Sequence, residues 1–279
     1  MLKKICLGSA ALSVALLAGC AEKPAVKEVE EKIVKVDPAS IERTETKNAY
    51  FGDLHVHTKN SFDAFITGTR TNADDAYRFA KGATIDNGAG TDISISGPPL
   101  DFYGVTDHGE YMGVVAAMRD KNNPISKSDT AKSIFGIFGG GREARMQAFM
   151  KVGTTIVTGD PLEDIYDRDF IDSAWAENVA AAEKHNEPGV FTTFAAYEYT
   201  NMNIIGGIDD NLGATNLHRN VVFRDKVPTR LFSTLDSTNA EDLWEWMNGQ
   251  RANGIDVMAI PHNSNASNGQ MFAMTTTDG

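Results

Sequence analysis

The chain has 279 residues, 42% of them apolar, enough to fill a hydrophobic core in one large or two small domains, which excludes a disordered protein. Acids outnumber Lys and Arg by 38 to 26, for a net charge of -12. That charge opposes binding to nucleic acid or anionic lipid, so an anionic substrate would need a local cluster of cations. Both cysteines fall within the first twenty residues, which leaves no disulfide framework.

Residues 1–20 read in order as a basic start at Lys3 and Lys4, an apolar stretch over residues 5–17, and the small residues Ala18 and Gly19 before Cys20. This is the order of a secretory signal peptide, residues 1–19, ending in a bacterial lipoprotein cleavage site where Cys20 is diacylated and becomes the new N terminus. The apolar run is shorter than the ~20 residues that span a bilayer, against an uncleaved membrane helix. Several acyl chains at about 0.8 kcal/mol per buried methylene would anchor the chain firmly. The non-acidic Ala21 points to the outer membrane, facing the periplasm or the cell surface. Residues 20–48 are rich in Lys and Glu, include Pro24 and Pro38, carry no aromatic side chain, and read as a solvated tether. A short amphipathic helix over residues 26–36 is the alternative.

From residue 49 to 279 short apolar runs alternate with helix-like segments, the rhythm of an α/β domain with parallel strands. Strands are predicted over residues 50–56, 102–106, 190–197, 219–223 and 256–260, and helices over 73–81, 111–119, 162–185 (in one or two pieces) and 240–252. Thr238 and Glu241 have the spacing of a capping box. Two insertions, 82–99 and 121–160, the second holding Gly139, Gly140 and Gly141, read as lids, binding loops or surface loops.

Six histidines occur, and five of them sit at or beside four different strand ends, which core packing alone does not explain. In Asp53-Leu54-His55-Val56-His57-Thr58 the alternation of a strand projects His55 and His57 to one side, as two imidazoles must point to share a metal ion. Asp53 shares that side and either orients an imidazole or caps the strand. The strand of Asp101 to Val105 ends in Thr106-Asp107-His108, where His108 would meet metal and Asp107 would support it or touch substrate; a histidine capping a turn is the alternative. Glu198, between Tyr197 and Tyr199, is an acid where a buried strand ends. It reads as a bridging ligand or a salt-bridged structural glutamate. His218-Arg219 and Pro261-His262-Asn263-Ser264-Asn265 complete the set, while His185 reads as an exposed residue of a helix's last turn.

In this order the motifs resemble the polymerase and histidinol phosphatase (PHP) superfamily, and in particular a branch of secreted or lipoprotein members catalogued as a domain of unknown function. The resemblance covers about residues 50–272 and is most specific at Asp-Leu-His-x-His-Thr and at Thr-Asp-His. It implies a distorted (β/α)7 TIM-like barrel, with two or three divalent metals at the C-terminal strand ends. It further implies that His55, His57, Asp63, His108, Glu198, His218 and His262 are ligands, with Ser61 and Asp63 forming the Ser-x-Asp-Ala element of that branch. The superfamily closes its set with a late Asp-x-His, and no histidine follows His262. The expected barrel is therefore incomplete at the C terminus.

Such a mixed His and carboxylate shell suits Zn, Mn or Fe. The expected function is a metal-dependent hydrolase, with a phosphoester or related anion as small-molecule substrate and a metal-activated water as nucleophile. Asp107 and Arg219 are the candidate catalytic residues, and Lys59, Asn263 and Asn265 candidate substrate ligands; ordinary loop hydrogen bonding is their alternative role. No serine-hydrolase, zincin or P-loop pattern occurs. The competing readings are an amidohydrolase-like C-N or C-O hydrolase and a non-catalytic envelope lipoprotein that binds metal or ligand.

Overall fold

A computed structural model of the chain describes residues 46–138, 141–204 and 214–273. The expected signal peptide, Cys20 and most of the expected tether, with Gly139 and Gly140, lie outside the described residues.

The elements run β1 (Gly52–Val56), α1 (Phe62–Thr67), α2 (Ala73–Ala80), β2 (Ile85–Asp86), β3 (Asp92–Ile93), β4 (Phe102–Val105), α3 (Val114–Ala117), α4 (Asp129–Phe138), α5 (Gly141–Thr158), α6 (Arg168–His185), β5 (Thr192–Tyr199), β6 (Met202–Ile204), β7 (Ala214–Asn216), β8 (Arg219–Phe223), α7 (Ala240–Ala252) and β9 (Val257–Pro261). Five strands form one sheet in the order β1-β4-β5-β8-β9. β1, β4 and β5 are parallel, but β8 is antiparallel to both its neighbours. The protein is therefore α/β with a mixed sheet, and the expectation of uniformly parallel strands fails at β8. The antiparallel pairing of β6 with β7 explains the reversal, because it turns the chain back on itself at the end of β5.

The sheet is curled. β1 and β9 are its two edges, yet the ring of His55 on β1 lies 4.0 Å from that of His262, just past β9. Across the concave face Asn220 Nδ2 of β8 donates to the Leu54 carbonyl of β1 at 2.7 Å. Helices α2 and α6 lie against β4 and β5, and α7 against β9. Tyr77, Trp175, Leu243 and Phe223 are buried between these helices and the sheet. At Gly52 a side chain has no room: a Cβ there would stand 2.2 Å from the Phe102 carbonyl, so glycine permits β1 to pair with β4.

Three helix boundaries differ from the periodic reading. Tyr111 and Gly113 adopt positive φ of 53° and 76°, which holds α3 back to Val114. Asp167 caps α6 by accepting from Phe170 N, so the segment before it forms turns. Asn239, not Thr238, occupies the N-cap of α7. The insertion at 121–160 carries α4 and α5, whose Ala144, Ala148, Val152 and Ile156 recur every fourth residue and are buried; this stripe was present in the sequence beneath the glycines. The insertion at 82–99 forms the β2–β3 ribbon.

Candidate metal centre

Because β8 runs backwards, its first residues arrive where β1, β4, β5 and β9 end. Tyr199 pairs with Arg219, Arg219 pairs with Pro261, and His262 N donates to the His218 carbonyl. His55, His57, His108, Glu198, His218 and His262 are thereby delivered to one end of the sheet from five strands. Asp63 reaches the same place from the first turn of α1.

Glu198 is the hub and is 1% exposed. Its Oε1 lies 2.5 Å from His218 Nδ1 and 2.7 Å from His262 Nε2, and its Oε2 2.8 Å from His57 Nε2 and 3.4 Å from His55 Nε2. His108 stands 3.7 Å from Glu198 through Nδ1 and 3.6 Å from Asp63 through Nε2. Three adjoining groups can each hold a metal ion: His55, His57 and Glu198; His57, Asp63 and His108; and His108, Glu198 and His218. His57, His108 and Glu198 recur among them, so the groups share walls.

Hydrogen bonding to the remaining ring atoms shows which nitrogens are free to ligate. Ser61 Oγ donates to Asp63 Oδ1 at 2.6 Å, so the 2.9 Å contact with His57 Nδ1 places the ring proton on Nδ1 and leaves Nε2 toward Glu198. That Nε2 and Glu198 Oε2 are close but out of hydrogen-bonding alignment. Both, together with His218 Nε2 and His262 Nδ1, are buried without a hydrogen-bond partner among the described residues. Buried polar atoms in this state are uncommon. Imidazole nitrogens beside carboxylate oxygens are also the donor set that divalent transition ions take, so the residues fit a metal.

The electrostatics agree. Burial works against a charged His57, yet the Asp63 and Glu198 carboxylates raise its pKa to about 10. Burial likewise opposes ionisation of Glu198 and Asp63, but the surrounding imidazoles hold both carboxyls well below their ordinary range. His218 is pushed down, mainly by burial. The cluster is thus an anionic hub that draws positive charge, whether protons or metal ions.

The other expected site residues are placed differently. Asp107 is fully buried, with burial raising its pKa, and accepts from Thr58 N at 2.5 Å and Thr58 Oγ at 2.7 Å. It braces the turn after His57. Arg219 is a correction: its neighbours in sequence, His218 and Asn220, face the cluster and the concave side, so alternation turns Arg219 outward. There it lies over the Trp244 ring of α7 at 4.9 Å and donates to the Leu217 carbonyl. Asp53 accepts from the backbone N of His55, not from an imidazole. Asn263 and Asn265 are exposed on the turn after His262, and Lys59 lines a groove beside α1. His185 is not exposed; it is 8% accessible, stacked on Tyr77 and 2.8 Å from Asp74.

Two supporting residues carry no signal of their own in the sequence. Thr200 Oγ contacts His108 Nδ1 at 2.6 Å, and Glu110, fully buried, receives Thr200 and Thr234. Their nearness to the Thr-Asp-His and Tyr-Glu-Tyr motifs was the only pointer to them.

A curled mixed sheet that gathers imidazoles and carboxylates at one end defines an α/β protein able to hold metal ions. The chain belongs to the family described as protein of unknown function (DUF3604), whose model matches residues 44–279. No curated protein and no solved structure matches it. Among the described residues no helix is long and apolar enough to cross a membrane.

Proposed function

We propose that the chain is a metal-dependent phosphoesterase of PHP type, anchored in the cell envelope through acylated Cys20. The curled sheet would be the wall of a distorted (β/α)7 barrel, with the site at the strand ends where barrel enzymes hold theirs. One observation carries the reading: five imidazoles and two carboxylates from separate segments meet around Glu198, where His57 Nε2 and Glu198 Oε2 face each other without a hydrogen-bond partner among the described residues. Divalent Zn, Mn or Fe held there would supply Lewis acidity at a phosphoryl group and a nucleophile at neutral pH.

The chain's own contribution is to fix that donor set. Ser61 and Thr200 hold Nδ1 of His57 and Nδ1 of His108, and Asp107 clamps Thr58. His55, with 40% of its side chain exposed, lies at the mouth where substrate enters.

The test is metal analysis of the purified protein beside His57→Ala, followed by assays on aryl phosphates and phosphodiesters with Mn or Zn, and on cyclic amides. The wild type should carry stoichiometric transition metal and hydrolyse a phosphoester, and the variant should lose most of both. Equal metal in the two proteins, or a metal-loaded protein that turns over no phosphoester, overturns the reading.

A further inference from the structure

Several cations among the described residues are neutralised. Arg78, Lys81, Arg168, Lys184, Arg224 and Arg230 each lie within ion-pair distance of an Asp or Glu, as expected where acids are in excess. In one place several cations without such a partner line the same surface depression. Arg70, Arg119 and Arg145 line a cavity of about 400 Å³ with Thr67, Gly68 and Phe135. Arg70 and Arg119 also line an adjoining cavity of about 410 Å³ with Lys59 and Phe65, so the two lie side by side along one groove. None of these four cations has a carboxylate within ion-pair distance among the described residues. Asp120 stands at the rim, but its carboxylate accepts from Asn122 N.

The groove is preorganised. Arg70 is half-buried, its guanidinium 4.0 Å from the Phe65 ring centroid, and one of its nitrogens donates to the Phe65 and Thr69 carbonyls at 2.7 Å each. Those bonds use a single NH2 group and leave the rest of the planar donor array free, the geometry that receives an oxyanion in a bidentate way. Burial and the charge of Arg119 both lower the Arg70 pKa, so the pair repel each other until an anion lies between them. The groove also adjoins the metal centre: Lys59 follows His57 by two residues, at most about 7 Å along the backbone, and Phe65 follows Asp63 by two in α1.

We propose that this groove is a binding subsite for a tetrahedral oxyanion, which on the phosphoesterase reading above holds a second phosphate or sulfate group of the same substrate. The expected substrate class is then an organic ester with two such groups, one at the metal centre and one between Arg70, Arg119 and Arg145.

The probe is inorganic phosphate, titrated into the full-length protein with its native metal and followed by calorimetry. Three variants are compared with wild type: Arg119→Gln with Arg145→Gln, the same pair changed to Lys, and Glu198→Gln. Arg119 and Arg145 are exposed, so the fold should survive, and circular dichroism checks it. Phosphate binding at the groove should weaken at least about tenfold in the Gln pair, recover in part in the Lys pair, and persist in Glu198→Gln. Unchanged phosphate binding in the Gln pair overturns the proposal, as does loss of all phosphate binding in Glu198→Gln. With active enzyme, the Gln pair should raise KM for a bisphosphorylated substrate and not for an aryl monophosphate; equal effects on both also overturn it. Absence of turnover would defeat the phosphoesterase reading alone, and the calorimetry would still decide the groove.

Discussion

Two glutamates lie at the same end of the sheet, both almost without solvent contact, in opposite states. Glu110 receives Thr200 and Thr234 through two backbone N–H groups and two hydroxyls. Glu198 is ringed by four imidazoles at 2.5–3.4 Å, with one oxygen left without a hydrogen-bond partner among the described residues. Burying a carboxylate is costly unless donors compensate it. The chain meets that requirement for Glu110 with its own groups, and for Glu198 with groups that are better metal ligands than hydrogen-bond donors. The comparison separates a carboxylate satisfied by the fold from one placed where it could hold a cation. The histidines divide likewise: His185 is paired with Asp74 and stacked on Tyr77, while His218 and His262 each present a buried nitrogen with no partner among the described residues.

The largest effect should come from Glu198→Gln, which keeps the shape and removes the charge. Transition-metal affinity should fall by about 100-fold or more, read by competition with a chelator, while the metal-free protein unfolds at the same or higher denaturant. Glu110→Ala should do the reverse. It strands the Thr200 and Thr234 donors and should cost about 3 kcal/mol in chemical denaturation, with metal content per folded molecule retained. If Glu110→Ala emptied the centre without loss of stability, the two roles would have to be exchanged.

The smallest effect concerns Asp74. The Lys184 ammonium and the His185 ring hold its carboxyl below the usual range, so its contribution is present above the ordinary Asp value near 4 and is lost as pH falls through the lower folded value. Asp74→Asn should therefore cost about 0.5 kcal/mol at pH 7, and the gap from wild type should close in denaturation curves recorded below about pH 4. A gap that persisted in acid would mean that Asp74 acts through packing and not through charge.

The convergence of these histidines with Glu198 was legible in the sequence because strands advertise it. His55 and His57 are two apart, His108 and Glu198 end apolar runs, and β8 matches its predicted bounds. Strand direction was not legible, since an apolar run reads the same in either sense and the hairpin that reverses β8 is only three residues per arm. Arg219 was misplaced for a related reason: its position next to His218 suggested the site, although neighbours in a strand face opposite sides. Glu110 and Thr200 escaped because their role is defined by contacts between residues 90 apart. The helical insertion was hidden by Gly139 to Gly141, although the four-residue apolar spacing of α5 was in plain view.

The reversal of β8 also makes His218 dependent on sequence alignment between strands. Its position is set from below by the Glu198–Asn220 and Tyr199–Arg219 pairs and from above by the Leu217 N to Asn201 carbonyl bond. Sliding β8 by a single step would present Leu217 or Arg219 in place of the imidazole. Evolution can therefore lengthen or shorten the hairpin beyond Asn201 and Leu217 at little cost to the centre, whereas one residue gained or lost between Leu217 and Phe223 would dismantle it.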